Sequence, residues 1–233
     1  GAQAPTLKCV KSDLTVKVDG QIDDIAWKEA KTVSHDGMTI AGVVKDDLLW
    51  LGIAMPDSNV MENKAKPQDD PRIKEGPHIE MTVSDRLRKL YYRILLTPAG
   101  EIYDVKQRAN EDGTWKNDLT WSSQARVQRD PSGKRWSAEC AIPLTAGAVQ
   151  ICRRGTKANP NASPWYTLQI LEASNAGSRD MTNYSEEELV ELAKQQTEDP
   201  AVIQAANISM DLEEEVFNLM TDDKAAPEII RAR

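Results

Sequence analysis

The sequence predicts an all-β fold, an antiparallel β-sandwich of the immunoglobulin-like or jelly-roll type with a C-terminal helical extension or insertion. From Leu14 to about Ser174, short apolar stretches alternate with turn residues, which is typical of a sandwich or barrel. Helical periodicity is scarce in that region. After Ser174 the pattern changes, and apolar residues follow helical spacing behind a serine N-cap.

The first predicted elements are one strand and one hairpin. Residues 14–18 alternate between apolar and polar side chains and end at Asp19-Gly20, a turn dipeptide. Residues 38–44 and 48–54 flank Lys45-Asp46-Asp47, which predicts a hairpin. The second hairpin strand is almost continuously apolar, so we expect it to be covered on both faces.

A meander and a second hairpin follow along the chain. The meander consists of three strands separated by turn residues, 78–83, 90–96 and 101–106. Residues 125–129 and 135–142 flank Asp130-Pro131-Ser132-Gly133, where proline comes early and glycine late, as in a tight turn. Residues 165–171 are one more predicted strand.

The C-terminal segment predicts a helix over residues 184–194, with Ser185 as N-cap and Glu188 three residues later. Residues 206–212 predict a last strand, and a tail begins at Asp223. The predicted organisation is an N-terminal arm (1–13), a sandwich (14–174), and a segment of helix, last strand and tail (175–233).

Composition narrows the class of partner. A net charge of -8 and a pI near 5.0 disfavour nucleic acid, because phosphate binding requires clustered Lys and Arg. No run of 18 or more apolar residues occurs, so no membrane span is predicted. Cys9, Cys140 and Cys152 lack metal-site spacing and allow at most one disulfide. Cys140 and Cys152 lie among apolar residues, and we interpret these two as small buried hydrophobic residues.

The first residues bear on localisation. The chain begins Gly1-Ala2-Gln3-Ala4-Pro5 without a methionine, and Ala2-Gln3-Ala4 fits the end of a signal peptide. A processed start and an engineered start both remain open. A secreted, periplasmic or cell-surface protein is the expectation.

Several motifs occur in an order that is characteristic of one family. They consist of an opening segment with Asp19-Gly20 and Trp27, three strand motifs, and a late Trp-x-x-Glu motif ending in Ile-Pro. The segments are 18–30, 47–51 with 55–58, 79–81, 90–93 with 98–104, and 136–143. Together they resemble the family 9 carbohydrate-binding modules of the DOMON-like β-sandwich superfamily, over residues 14 to 170.

The resemblance implies a rigid, non-catalytic sandwich that binds a mono- or oligosaccharide within a secreted polysaccharide-degrading system, beside a neighbouring catalytic domain or subunit. A pyranose has an apolar face and a polar rim, so it suits an aromatic platform beside charged groups. Carried over residue by residue, Glu80 and Arg93 fall on ligand-contacting positions of adjacent strands. Trp165, within Ser163-Pro164-Trp165, matches a loop that supplies a stacking tryptophan.

The chain also departs from the family pattern. Lys74 occupies the place of the second stacking tryptophan, Pro77 that of an Asp, and Cys152 that of an amide. Trp115 lies in a polar loop, where an indole either closes the end of the sandwich or offers a platform. The candidate ligand-binding residues are therefore Trp165, Arg93, Glu80, Trp115 and Lys74.

Structural interpretations stand beside these functional ones. Glu80 and Arg93 equally fit a plain cross-strand ion pair, and Trp165 equally fits an ordinary strand residue. Four further tryptophans are expected to pack in the interior: Trp27, Trp50, Trp121 and Trp136.

No cofactor is expected. The long loop with Asp57, Glu62, Asp69 and Asp70 holds enough carboxylates for structural Ca²⁺, but it lacks D-x-D-x-D-G spacing, so a solvated acidic loop is favoured. No G-x-S-x-G, H-E-x-x-H or P-loop occurs, and the protein is not expected to be an enzyme.

Two alternatives to carbohydrate binding remain open. A haem-b-binding electron-transfer domain of similar fold would draw its ligands from Met55, Met61, Lys74 and His78. A purely structural module would have lost its ligand site and would pack against a neighbouring domain through the C-terminal helix.

Overall fold

The computed structural model describes residues 4–56, 63–155, 162–172 and 182–196. The chain divides into two compact units, Gly1–Ala173 and Ser174–Arg233. The described part of the first unit holds twelve strands and two 3₁₀ helices, and that of the second unit holds one α-helix.

The strands in chain order are β1 (Thr6–Lys11), β2 (Thr32–His35), β3 (Met38–Lys45), β4 (Leu48–Pro56), β5 (His78–Asp85), β6 (Leu90–Leu96), β7 (Ile102–Ala109), β8 (Trp115–Asp118), β9 (Arg126–Arg129), β10 (Arg135–Pro143), β11 (Ala146–Arg154) and β12 (Tyr166–Leu171). The 3₁₀ helices are Ile25–Glu29 and Pro71–Glu75, and α1 is Glu186–Gln196.

All twelve strands belong to one mixed sheet in the order β8-β7-β6-β5-β11-β12-β1-β3-β4-β10-β9, with β2 paired to β3. Strand β1 is parallel to both β12 and β3, whereas the other pairs are antiparallel. Among the described strands, β1 is therefore the one that joins one half of the sheet, β8 to β12 along this order, to the other half, β3 to β9.

The core shows how the sheet curls. One buried cluster draws inward-facing residues from both halves, including Leu51 and Ile53 of β4, Met81 of β5, and Ile94 of β6. Leu51 and Ile53 are two residues apart and so face the same side of β4, as strand geometry requires. Because each buried aliphatic side chain contributes about 1.5–3 kcal/mol, this shared cluster favours a sheet that curls around its own inner face.

The all-β class is confirmed, but the expectation of a purely antiparallel sheet is wrong at β1. Residues 1–13 are predicted as an arm, yet Thr6–Lys11 forms the strand that joins the two halves. Residues 14–18 form no strand. The alternation of apolar and polar residues there reflects an extended segment that lies on the core without pairing as a strand. Leu14 and Val16 are buried, whereas Thr15 and Lys17 are exposed.

The predicted hairpins and the meander are confirmed. Strands β3 and β4 pair around Lys45, β5, β6 and β7 form consecutive antiparallel pairs, and β9 pairs with β10. Strand β12 lies where residues 165–171 predict it. Strands β1, β2, β8 and β11 are additional to the strands that the residue patterns predict.

Three of the four tryptophans predicted to pack do so closely. Trp27 and Trp136 are buried, and Trp121 packs against the core with its ring 4.8 Å from that of Tyr92. Trp50 is only half-buried. It alternates with Leu49 and Leu51, so β4 has one covered face and one partly open face, contrary to the expectation from its apolar run.

The helix α1 is confirmed together with its capping box. The Glu188 backbone N–H donates to Ser185 Oγ at 3.1 Å, and the Ser185 N–H donates to Glu188 Oε1 at 3.1 Å. None of the described helices is long and apolar enough to cross a membrane. The strand predicted at 206–212 and the tail from Asp223 lie outside the described residues.

Candidate functional site

The candidate site occupies one side of one half of the sheet. We call it the outer face; it is the side turned away from the core, formed by β8, β7, β6, β5, β11 and β12. On β6, Tyr92 and Ile94 face the core, so Tyr91 and Arg93 face outward. Thr82 of β5 stands directly opposite Arg93 of β6, so its side chain is on the same face. Glu80 is two residues from Thr82 on β5 and therefore also faces outward.

A carboxylate held by two arginines lies at one end of the outer face. Glu80 Oε1 accepts from Arg93 Nη1 at 3.1 Å, and Glu80 Oε2 accepts from Arg154 Nε at 3.0 Å. Glu80 is on β5, between β6 and β11, and each arginine is a diagonal neighbour on its flanking strand. The Glu80 side chain is 12% exposed and the arginines are 45% and 42% exposed, so their guanidinium groups remain open to a ligand.

The 3₁₀ helix Pro71–Glu75 covers part of the outer face and carries Lys74. Asp70 caps it by accepting from the Arg72 N–H at 3.0 Å, and Ile73 is buried against Leu95 and Tyr103. Asn63 Nδ2 donates to the Ile73 carbonyl at 2.9 Å. These contacts hold Lys74 Nζ 4.7 Å from the centre of the Tyr103 ring, a cation–π arrangement.

The electrostatics of that cap come from an ion pair between Arg72, whose side chain is 48% exposed, and Asp70, whose side chain is 9% exposed. Asp70 Oδ2 accepts from Arg72 Nη2 at 2.6 Å, and hydrogen bonds from Arg72 and from the Lys66 N–H hold the pKa of Asp70 well below its usual range. Since solvent around the exposed Arg72 screens the pair, we expect it to order the helix start and to contribute little to stability.

A cleft of about 450 Å³ lies between the 3₁₀ helix Pro71–Glu75 and the carboxylate held by the two arginines. We call it the cationic cleft. Four charged side chains line it, together with His78, Tyr103 and the paired amides of Gln107 and Asn117: Lys74, Glu80, Arg93 and Arg154. At its end Gly155 has φ +68°, and a Cβ there would overlap the carbonyl oxygen of Gly76. Only glycine allows the backbone at residue 155 to come this close to the Gly76 carbonyl. This close backbone contact defines one end of the cleft.

An aromatic cluster lies beside this cleft on the outer face, toward the Leu90 end of β6. The Tyr91 ring is 5.2 Å from that of Trp115 and 6.4 Å from that of Trp165, both at 57°. Arg88 Cζ lies 5.8 Å from the centre of the Trp165 ring. Trp115 is 47% exposed, and Tyr91 and Trp165 are half-buried. We call Trp115, Tyr91 and Trp165 the aromatic row.

Hydrogen bonds to β11 fix the loop that carries Trp165. The Ile151 N–H donates to Ser163 Oγ at 3.0 Å, the Ser163 N–H donates to the Ile151 carbonyl at 2.9 Å, and Gln150 Nε2 donates to the Ser163 carbonyl at 3.0 Å. Because Ser163 is buried, these bonds are shielded from water. They orient the indole before any ligand arrives.

The aromatic row and the cationic cleft are adjacent. Tyr91 and Arg93 are two residues apart on β6, which corresponds to roughly 7 Å along a strand. The structure thus brings Trp165, Arg93, Glu80, Trp115 and Lys74 to one face. It does so in two groups, with Trp165 and Trp115 in the row and the other three in the cleft.

Residue patterns alone missed two members of this face. Arg154 lies at the end of β11, which they did not include. Tyr91 lies in a predicted strand and is two residues from Arg93, so period-two alternation is the signal that places it outward.

Cys152, which stands opposite Glu80, is buried, as are Cys9 and Cys140. Burial raises the pKa of the Cys152 thiol.

Of the described residues considered as haem ligands, Met55 is separated from Lys74 and His78. Met55 lies in the core on β4, in the other half of the sheet, with 1% exposed surface, while Lys74 and His78 line the cleft. His78 Nδ1 donates to the Gly76 carbonyl at 2.8 Å. Met61, Asp57 and Glu62 lie outside the described residues. Within the described part of the chain, no group of three or more His, Cys, Asp and Glu side chains is arranged to hold a metal ion.

Comparisons with known proteins bear on the fold. No family model matches the sequence, and no curated protein matches it. Among solved structures, the chain is similar to a Bacteroides uniformis protein that has been proposed to bind carbohydrate, with a TM-score of 0.50 and 13% identity over 72% of this chain and 100% of that one.

A second solved structure is a family 9 carbohydrate-binding module from Caldicellulosiruptor kristjanssonii in complex with cellotriose. The TM-score is 0.42 and the identity 12%, over 77% of this chain and 100% of the module. At 13% identity, the similarity to the Bacteroides protein shows a shared fold.

Proposed function

We propose that this protein is a non-catalytic carbohydrate-binding domain that binds a mono- or oligosaccharide on the outer face. The observation that carries the proposal is the adjacency of the aromatic row and the cationic cleft. A sugar ring presents C–H groups to an aromatic platform and hydroxyls to charged donors. The outer face offers both within the length of a short oligosaccharide.

Pre-organisation supports binding at this face. Glu80 holds both arginines, the Ser163 hydrogen bonds hold the loop of Trp165, and the buried Ile73 holds the segment of Lys74. Side chains already fixed in the free protein lose less conformational entropy when a ligand binds.

The proposal extends to the type of sandwich, the family and the partner. The curled sheet is of the sandwich type found in family 9-like modules. The partner is a neighbouring catalytic domain or subunit of a polysaccharide-degrading system outside the cytoplasm. The motif order from Asp19-Gly20 to Ile142-Pro143 and the position of Trp165 support this assignment.

A glycan array followed by calorimetry tests the proposal. We compare the wild type with Trp165→Ala, Tyr91→Ala and Arg93→Ala, and use Arg126→Ala, an exposed arginine on β9 in the other half of the sheet, as the matched control. Each of the first three substitutions is expected to weaken binding about tenfold or more, since each removes a central contact. The control is expected to bind as the wild type does, with unchanged circular dichroism in all variants.

Two results would contradict the proposal. Wild-type protein that binds no glycan would favour a structural module without a ligand site. Binding that survives all three substitutions would place the sugar elsewhere on the molecule.

A further inference from the structure

The cationic cleft has an excess of positive charge. Among its lining residues, three cationic side chains, Lys74, Arg93 and Arg154, face one carboxylate, Glu80. The whole chain carries a net charge of -8, so this local balance is opposite in sign to that of the protein. The excess therefore belongs to the cleft and needs an explanation there.

Glu80 engages only a small part of the donor capacity around it. It uses one N–H group of each arginine, Nη1 of Arg93 and Nε of Arg154, and a guanidinium carries five N–H donors. Lys74 Nζ lies over the Tyr103 ring, and no carboxylate of the described residues forms an ion pair with it. Several charged donors therefore remain for a ligand.

A neutral sugar would satisfy hydrogen bonds in this cleft but would leave the excess charge uncompensated. An anionic group would compensate it, and hydrogen bonds between a guanidinium and a carboxylate are about twice as strong as neutral ones. The two arginines are held on either side of Glu80, so they would not have to be ordered on binding.

We propose that the cationic cleft recognises an acidic saccharide, with a uronic acid carboxylate bound among Lys74, Arg93 and Arg154 while an adjoining sugar ring packs on the aromatic row. This inference rests on the proposed carbohydrate-binding function and names the class of ligand that the site binds. The spacing of Tyr91 and Arg93 on β6 places the two contacts on neighbouring parts of one oligosaccharide.

Calorimetry with matched ligands tests the inference. The probes are trigalacturonate, its fully methyl-esterified neutral form, a sulfated disaccharide and a neutral cello-oligosaccharide. We expect trigalacturonate to bind about tenfold or more tightly than its ester, a difference typical of a compensated charge. Because the Debye length shortens with salt, the preference should shrink between low and high NaCl.

Two substitutions locate the effect. Lys74→Gln and Arg154→Gln keep polar side chains of similar length and are expected to reduce the preference for the acid over the ester several-fold. Lys134→Gln, in the exposed turn between β9 and β10, is the matched control and should preserve it. Circular dichroism checks that all three variants fold.

The outcomes separate the inference from the proposed function. Equal or stronger binding of the neutral ligands would overturn the inference and leave carbohydrate binding intact. Preference for the sulfated disaccharide over trigalacturonate would overturn the choice of a carboxylate. No binding to any acidic or neutral glycan would contradict both. An acid preference unchanged in Lys74→Gln and Arg154→Gln would place the acidic group outside the cleft.

Discussion

Glu139 explains at the scale of single residues why two distant motifs occur together in this sequence. Its Oε1 accepts from the backbone N–H groups of Asp19 and Gly20 at 3.2 and 3.1 Å, and its Oε2 accepts from Trp27 Nε1 at 2.9 Å. A buried carboxyl on β10 thereby fixes the opening segment. Gly20 has φ +90°, and a Cβ there would lie 2.7 Å from the Val127 carbonyl carbon, so the turn requires glycine.

The same carboxyl predicts how stability depends on pH. Burial raises the pKa of Glu139 to about 7 and that of Asp24 to about 6. Both folded-state values lie above the ordinary carboxyl values, so the folded protein binds more protons than the unfolded chain in this range. The free energy of unfolding should therefore decrease as pH rises from about 4.5 to 7, by on the order of 2 kcal/mol.

Urea denaturation at pH 5, 6, 7 and 8 measures this slope. In Glu139→Gln the slope should be smaller, and stability at pH 5 should be lower by about 1–3 kcal/mol, because the amide NH₂ cannot accept from its donor neighbours. Glu111→Gln, a change in an exposed loop, is the control. Stability that rises from pH 5 to pH 8 in the wild type would contradict the assignment.

At the scale of elements, the 3₁₀ helix Pro71–Glu75 acts as a support for the cationic cleft. Ile73 is fully buried against Leu95, Tyr103 and Val105 on the outer face. Its burial is separate from the main core, because this cluster lies on the opposite side of the sheet. Packing of one side chain therefore positions Lys74, its neighbour in sequence.

Ile73→Ala tests this support. Loss of a buried isoleucine typically lowers the free energy of unfolding by about 2–5 kcal/mol, and we expect the low end here because the cluster is small. Affinity for the acidic saccharide should also fall several-fold as Lys74 loses its position. Ile73→Val, which keeps most of the buried volume, should change both quantities much less. Denaturation and calorimetry on the same samples provide the comparison, and Ile73→Ala with wild-type affinity would show that Lys74 is positioned by other contacts.

The hairpins and the meander, whose strands are joined by short turns, were predictable from sequence, and the strands that were missed have identifiable features. Strand β11 contains a register shift between Ala146 and Ala148, which interrupts its alternation. Strand β8 lies at the sheet edge with a mostly exposed polar sequence, and β2 has only four residues. Missing β11 also concealed Arg154, so the second arginine of the cleft required the structure.

Glu80 and Arg93 show the opposite case. They lie in adjacent strands of a predicted meander, so their proximity follows from alternation and strand order. Their contact does not by itself distinguish an ion pair from a ligand site. The three-dimensional neighbourhood, with Lys74, Arg154 and the aromatic row, is the observation on which the proposed ligand site rests.

At the scale of the whole molecule, β1 holds the sheet together. It pairs in parallel with β12, with Thr6 opposite Thr167, and with β3, with Val10 opposite Val43. Leu7 and Cys9 are fully buried. A short segment near residue 6 thus completes the core only when it meets residues about 160 positions later in the chain, and such distant pairing forms slowly in folding.

Two truncations and one substitution test the role of β1. A chain of residues 1–173 contains the first compact unit, and we expect it to keep the β-sheet circular dichroism spectrum and to unfold cooperatively. A chain of residues 14–173 should fail to fold, because loss of Leu7, Cys9 and Val10 removes on the order of 5 kcal/mol of apolar burial, comparable to the total stability of a domain. Leu7→Asp in the 1–173 chain should have the same effect at unchanged length, since it buries an unpaired charge. Cooperative melting of 14–173 near the temperature of 1–173 would show that the two halves of the sheet associate without β1, and the packing between their inner faces would then be the main source of stability.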